Sequence, residues 1–547
     1  MDRWYRNSVI YALDVRLFQD SNGDGYGDIP GLTSRLDYLT RLGVNAVWLN
    51  PIHPSPRRDG GYDITDYYGV DPRLGTLGDL AELLDNADER GLRVMLDLVL
   101  NHTSDEHPWF QQARADRDSP YRDWYVWSDS EPDDRWHGQV FPGVESETWT
   151  YDDVAEAWYR HRFYTFEPDL NTHNPAVRRE IRKILEFWLR LGVAGFRVDA
   201  APMLIESRRD GQIGTPSRDY AFLRELRETL SWRRGDAVLL AEANVGDGEL
   251  LEYFGEADGS ASRLMMVFAF RLNQAIMLSL ARQDASPLKA TLRELPELPL
   301  HAQWATFLRN HDEVDLERLT PGEREEVMAE FGPEERMHLY HRGLRRRLAP
   351  MLDGDRRRLE MAYSLQFTMP GTPVIRYGDE IGMGEDLTLP ERTAIRTPMQ
   401  WSATANAGFS DAPAAALVTP VISNGEYGAD LVNVTAQRLD PDSLLVWFER
   451  MLHTLRECEE IGRGAHDVLE IGPPHLLAHS ARGAGGCVLF LHNLAPDPCR
   501  VALPAHLRRD IPPLNVAADG DYGDKVDPDA IDVHGYGYRW IRLDRWP

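Results

Sequence analysis

With 547 residues, the chain is long enough for more than one domain and a large core. Its formal charge of −28 and isoelectric point near 5.0 argue against nucleic acid or an anionic membrane as partner and favour solubility. Only three cysteines (Cys458, Cys487, Cys499), no apolar signal core in residues 1–6 and no 18-residue apolar stretch predict a soluble protein of a reducing cytoplasm.

Short apolar runs alternate with longer helical patterns, which is the signal for βα units on a parallel sheet. Strands are predicted at 9–14, 46–49, 94–98, 195–198, 238–241, 265–268, 305–307 and 373–375, the eight runs that a closed (β/α)8 TIM barrel requires. Helices are predicted at 32–42, 77–90, 175–191 and 220–229. In the third of these, Val177, Ile181, Ile184, Leu185 and Trp188 fall at helical spacing and read as core. The barrel is expected to use residues 1–100 and 173–464. Residues 101–172, rich in Asp, Trp, Tyr and Pro, are too long for one crossover helix and read as an inserted, loop-rich subdomain after the third strand. A second insertion, 313–358, follows the seventh strand and carries Arg345-Arg346-Arg347; a third long loop, about 380–430, follows the last. Beyond a helix at 444–455 the chain changes character. Residues 465–547 are expected to form a C-terminal antiparallel β-sandwich domain.

The loop Asp20-Ser21-Asn22-Gly23-Asp24-Gly25-Tyr26-Gly27-Asp28 spaces oxygens as the first half of a calcium loop does. Asp20, Asn22 and Asp24 would bind by side chain, Tyr26 by its carbonyl, and Asp28 would add a carboxylate. Gly31 at the twelfth position rules out an EF-hand, and a plain Asp/Gly-rich turn is the alternative reading.

Three acidic motifs follow predicted strands: Gly195-Phe196-Arg197-Val198-Asp199, Leu239-Leu240-Ala241-Glu242-Ala243-Asn244 and Phe307-Leu308-Arg309-Asn310-His311-Asp312. Carboxylates just past the C-terminal ends of barrel strands converge on one mouth, where a pair of acids can cleave a glycosidic bond. Arg197, two residues before Asp199 on the same strand face, is expected to keep a nucleophilic carboxylate ionised. The apolar run before Glu242 is expected to favour its protonated, acidic form.

These motifs, with Asp97-x-x-x-Asn101-His102 after the third strand, resemble the α-amylase superfamily of retaining α-glycosidases, glycoside hydrolase family 13. The resemblance implies Asp199 as nucleophile, Glu242 as acid/base and Asp312 as transition-state stabiliser, with His102 and His311 bonded to the glucose that is cleaved. Gly61-Tyr62-Asp63 and Ala394-Ile395-Arg396-Thr397-Pro398 resemble the segments that close an exo-acting α-glucosidase pocket. Asp63 and Arg396 would clamp the 4-hydroxyl of a terminal glucose, and Tyr62 would stack under its ring. Within the family, residues 4–433 are most similar to the trehalose synthases, which implies isomerisation of maltose to trehalose by intramolecular transfer. Hydrolysis, or transfer to another acceptor, stays open, as does a non-catalytic scaffold role. The chain departs from those enzymes at Glu167, where they carry glutamine, and at Val245-Gly246, where they carry glutamine and tryptophan. Phe163 and Glu167 would border the acceptor side. The likeness also implies a second structural ion held by Asn101, Asp169, Glu206 and the carbonyls of Met203 and Leu204. Either ion is expected to be Ca2+ or Mg2+, with no organic cofactor. The expected partner is a small α-glucoside such as maltose or trehalose, and self-association into a homo-oligomer stays open.

Overall fold

The computed structural model describes residues 3–207, 217–256, 262–508, 512–523 and 525–543. Eight parallel strands close into one barrel: β1 (Ile10–Leu13), β2 (Ala46–Leu49), β3 (Arg93–Leu98), β4 (Gly195–Val198), β5 (Val238–Ala241), β6 (Met266–Phe268), β7 (Gln303–Thr306) and β8 (Thr372–Arg376). β8 pairs with β1 and completes the ring. Covered by helices outside and filled by side chains inside, these strands read as near-continuous apolar runs. β7 starts two residues before the predicted run. Gln303, which reads as loop in sequence, is buried and donates its side-chain amide to Gly462 O at 2.6 Å. The predicted 32–42 helix is two helices, Ile29–Ser34 and Leu36–Leu42, broken at Arg35. The helix Pro175–Leu191 starts with Asn174 as its cap and Pro175 in its first turn. It ends at Gly192 in the left-handed region (φ 111°), and its Val177–Trp188 stripe is buried as expected.

All three long loops leave the same end of the barrel, the C-terminal ends of the strands. Between β3 and β4, the helix Pro108–Ala115 packs on a three-stranded antiparallel sheet of Trp127–Ser128, Ala157–Arg160 and Trp149–Asp152. Phe110 supplies a local core, stacked on Trp127 at 5.5 Å and edge-on to Tyr125 and Tyr159. This explains the aromatic richness of that stretch. After β7, the helix Pro321–Phe331 carries a Thr320/Glu323 capping box, beside a small sheet of Val314–Asp315, Gly343–Leu344 and His338–Leu339. The arginine run stitches this insertion to the loop after β8. Arg345 donates to Leu389 O (2.7 Å), Arg346 pairs with Glu385 (2.8 Å) and Arg347 donates to Tyr377 O (3.0 Å).

The C-terminal region has a five-stranded antiparallel sheet: β9 (Ala465–Val468), β10 (Leu476–Gly483), β11 (Gly486–Asn493), β12 (Leu514–Ala518) and β13 (Tyr538–Arg542). Side chains alternate across it, as strand geometry requires. On β11, Cys487, Leu489 and Leu491 enter a separate core with the ribbon of Cys499–Val501 and Ile531–Val533. Val488 and Phe490 face the other way and join the main core, in which the barrel helices Arg356–Thr368 and Leu444–Glu457 also take part. Among the described residues, no helix is long and apolar enough to cross a membrane.

Candidate active site

Asp199 and Glu242 stand one residue beyond β4 and β5, yet both remain in the barrel's hydrogen-bond ladder. Asp199 N–H donates to Leu98 O (3.1 Å) and Glu242 N–H to Val198 O (3.0 Å). Their side chains are therefore aimed by the barrel itself, the most rigid element available. Between them lies Arg197, fully buried. It donates from Nη1 to Asp97 Oδ1 (2.7 Å) and Asp199 Oδ1 (2.6 Å), and from Nη2 to Glu242 Oε2 (2.8 Å). One guanidinium thus bridges both acids and holds the two carboxylates beside each other.

Arg197 does not hold Asp199 low in the resting site, contrary to expectation. Burial raises the Asp199 carboxyl well above the ordinary range, and Glu242, Asp97 and Asp312 add to this against the pull of Arg197. Burial also raises Glu242, with Asp312 and Asp97 contributing. Glu242 is the more open of the pair, its side chain 24% exposed against 8% for Asp199.

Asp312 behaves differently. Burial would raise it, but its surroundings outweigh that and hold it well below the carboxylate range. Arg392 Nη1 (2.8 Å) and Arg396 Nη2 (2.7 Å) both donate to its Oδ1, and His311 Nε2 lies 3.1 Å from Oδ2. His311, Arg392, Arg396 and Arg197 all pull Asp312 down, while burial drives His311 itself well below its usual value. Tyr62 Oη lies 2.7 Å from His311 Nε2 and donates to Asp97 Oδ2 (2.9 Å); the two rings are parallel at 5.7 Å.

Several of these groups line a cavity of about 370 Å3, within the range of small-ligand sites (about 300–1,000 Å3). Tyr62, His102, Phe163, Asp199, Glu242, His311 and Asp312 all face it. Asp63 does not. It is wholly buried away from the cavity, accepting from Ser55 Oγ (2.7 Å) and Arg58 N (3.1 Å). The acid of this turn that lines the cavity is Asp59, which pairs with Arg392 at 2.8 Å. Arg396 reaches Asp312 and His311 O (2.8 Å), and Arg392 is the arginine that pairs with Asp59. Glu167 is also displaced from its expected place. It is fully buried beneath His102, 3.7 Å from Nε2, and burial with Asp59 and Asp63 raises it well above its usual value. Burial lowers His102 to about 4.

Ion pairs also line the cavity, which sequence reading missed: Arg162 with Glu206, and Arg342 with Glu313 (3.5 Å). Val245 lies there too. The expected second ion set does not fit a cation. Glu206 is paired with Arg162, Arg160 (3.7 Å) and Arg218 (3.4 Å). Asp169 accepts from Asn101 Nδ2 (3.0 Å) and faces Arg160 (3.7 Å), while Leu204 O accepts from Thr172 Oγ1 (2.8 Å). Met203 lines the cavity nearby. Arginine supplies the positive charge that an ion would bring. In the first loop, Asp20 accepts from Asn22 N (3.0 Å), Gly23 N (2.7 Å) and Gly25 N (2.9 Å); Asn22 accepts from Asp24 N, and Asp24 from Tyr26 N. Asp28 caps the next helix through Gly31 N (2.6 Å). Among the described residues, no three His, Cys, Asp or Glu side chains converge as a metal cage.

The profile described as "Alpha amylase, catalytic domain" matches residues 12–329 and 345–464. The chain belongs to the α-amylase family. Within this family it is similar to the trehalose synthase of Thermus thermophilus, 44% identical over 94% of this chain. It spans about half (52%) of that protein's length. It is similar also to the trehalose synthase/amylase TreS of Mycolicibacterium smegmatis, 40% identical over 99% of this chain and 92% of the relative. A solved structure of the trehalulose synthase MutB superposes with a TM-score of 0.78 at 25% identity, covering 98% of this chain and 100% of MutB.

Proposed function

We propose that this α-amylase family chain is a retaining α-glucosyl-transferring enzyme that isomerises maltose to trehalose. The observation that carries the reading is the ion cluster on the cavity wall. Asp59, Arg392 and Asp312 are tied together there and share the cavity with Asp199 and Glu242, a set of charged groups suited to the hydroxyls of one terminal glucosyl unit. The likeness to trehalose synthases at 44% and 40% identity supports the isomerase over other transfers.

In the first step an Asp199 carboxylate oxygen attacks the anomeric carbon while Glu242 gives its proton to the bridging oxygen. The old C1–O bond breaks, a glucosyl ester forms and glucose is freed. In the second step the freed glucose presents its own anomeric hydroxyl, Glu242 takes that proton, and the ester bond to Asp199 breaks as the new C1–O bond forms. Two inversions return the α configuration. Ionised Asp312, held by two arginines, stabilises the positive charge that develops on the sugar ring. His102 and His311 are hydrogen-bond partners for its hydroxyls, and Tyr62 lies beside the ring.

One observation favours a hydrolytic second reading: beside Val245 the cavity is lined by the ion pairs Arg162–Glu206 and Arg342–Glu313, charged groups that attract water toward the ester. Incubating the protein with maltose and following anomeric protons by NMR decides between them. Trehalose accumulating beyond glucose supports the isomerase; glucose alone overturns it. A cytoplasmic location and a small α-glucoside as partner belong to the same proposal. A structural Ca2+ or Mg2+ is proposed at Asp20, Asn22, Asp24, Tyr26 and Asp28, supported by the oxygen spacing. Metal analysis of the purified protein, and loss of thermal stability with EDTA, test it; neither metal nor stability loss would remove it.

A further inference from the structure

Next to the cavity-lining residues Phe141 and Arg392, three loops that are far apart in sequence meet at one carboxylate. Tyr164, from the insertion after β3, donates its hydroxyl to Glu391 Oε2 at 2.8 Å. Tyr340, from the insertion after β7, donates to the same oxygen at 2.9 Å. Glu391 itself belongs to the loop after β8. Phe141 packs between the two phenols, 4.7 Å from Tyr164 and 4.8 Å from Tyr340. The junction is strained: Tyr340 (φ 53°), His341 (φ 57°) and Glu391 (φ 41°) all occupy the left-handed region without being glycine. Strain of this kind persists only where surrounding contacts over-determine it. Arg345 supplies some of them, donating to Leu389 O (2.7 Å) and Glu391 O (3.4 Å). The next residue, Arg392, lies over the Phe141 ring at 4.7 Å and carries Asp59 and Asp312. Phe141 and Arg392 line the cavity, whereas the two tyrosines and Glu391 do not.

We infer that Tyr164, Tyr340 and Glu391 form a latch that joins the three loops beside the cavity and sets how the glucosyl-enzyme divides between the sugar acceptor and water. The inference rests on the transfer reading above. The ester on Asp199 can be opened by an acceptor hydroxyl or by water, and in either case the C1–ester bond breaks and Glu242 takes the attacking proton. The choice depends on whether water enters while the freed sugar is held. Three loops locked at one oxygen keep Phe141 and Arg392 in place and the loop seams shut. The three are positioning residues, since none touches the reacting atoms.

The test is the double variant Tyr164→Phe/Tyr340→Phe, which keeps the ring packing and removes both hydrogen bonds. Two rates are read. Nitrophenol release from 4-nitrophenyl α-glucoside reports ester formation, and the glucose-to-trehalose ratio from maltose reports its fate. The latch predicts a ratio raised about tenfold, the scale of one lost charged hydrogen bond, with nitrophenol release within about twofold of the parent. A merely structural role would lower both rates together and leave the ratio unchanged, which overturns the latch. Glu391→Gln, which keeps an acceptor oxygen, is expected to fall between parent and double variant and serves if the latter folds poorly. A parent that yields only glucose overturns the isomerase reading. A parent that yields trehalose, with variants of unchanged ratio, overturns the latch alone.

Discussion

The assignment of Asp59 over Asp63 as the acid that faces the cavity makes a sharp prediction. The perturbation is the same at both positions, Asp59→Asn and Asp63→Asn. Asp59 lines the cavity and accepts from Arg392 at 2.8 Å, and that guanidinium also holds Asp312. Losing the charge weakens a charge-assisted hydrogen bond worth about 1.5–3 kcal/mol and releases Arg392 toward Asp312 alone. At 1.4 kcal/mol per tenfold, kcat/KM for 4-nitrophenyl α-glucoside should fall about 10–100-fold. Asp63 is wholly buried on Ser55 and Arg58 N and is already pushed up by burial. Its amide should cost about 1–3 kcal/mol of stability in a denaturant titration and leave kcat/KM within about threefold. An equal or larger kcat/KM loss in Asp63→Asn, or an unaffected Asp59→Asn, refutes the reasoning.

Other expectations concern the reacting acids and the barrel wall. Asp199→Ala should lose about ten-thousandfold or more in kcat on any α-glucoside while folding normally by circular dichroism; residual turnover near the parent's would remove Asp199 from the chemistry. Glu380 is buried against the hydroxyls of Tyr11 (2.7 Å) and Tyr38 (2.5 Å), and burial raises it to about 7. Because the folded value exceeds the unfolded one, its contribution to stability is full below about pH 4.5 and is lost as pH rises through about 7. Glu380→Gln should therefore be more stable than the parent by about 1–3 kcal/mol at about pH 8 and should lose that margin near pH 4.5, as measured by urea unfolding. A margin independent of pH would contradict the assigned titration.

The parts legible in sequence were those whose signal is local. Each barrel strand announced itself because burial on both faces demands an apolar run, and Asp199 and Glu242 were found because they extend such runs. Gln303 was missed because its polarity is satisfied by Gly462, far along the chain. Asp59 was missed for a related reason. It stands in Arg57-Arg58-Asp59-Gly60-Gly61, which reads as an exposed charged turn. Gly60 and Gly61 (φ 63° and 115°) fold that turn inward, and a Cβ on Gly60 would lie 3.0 Å from Arg396 Nη1. A usable signal existed, since Arg392 falls two residues before the Ala394–Pro398 motif already singled out. The ion pairs of the cavity wall and the arginines at Glu206 carry no such mark, because ion pairs between separate loops leave no local period. Expecting Arg197 to lower Asp199 considered one neighbour; burial and three further carboxylates decide the balance.

The most direct test of intramolecular glucosyl transfer is an isotope experiment. Maltose is incubated with free uniformly 13C-labelled glucose in the medium, and the trehalose formed is analysed by mass spectrometry. The account predicts trehalose unlabelled in both halves, because the glucose freed from maltose is the one that attacks the ester. Trehalose carrying label in one half at the share set by free glucose, or glucose with no trehalose, would contradict it.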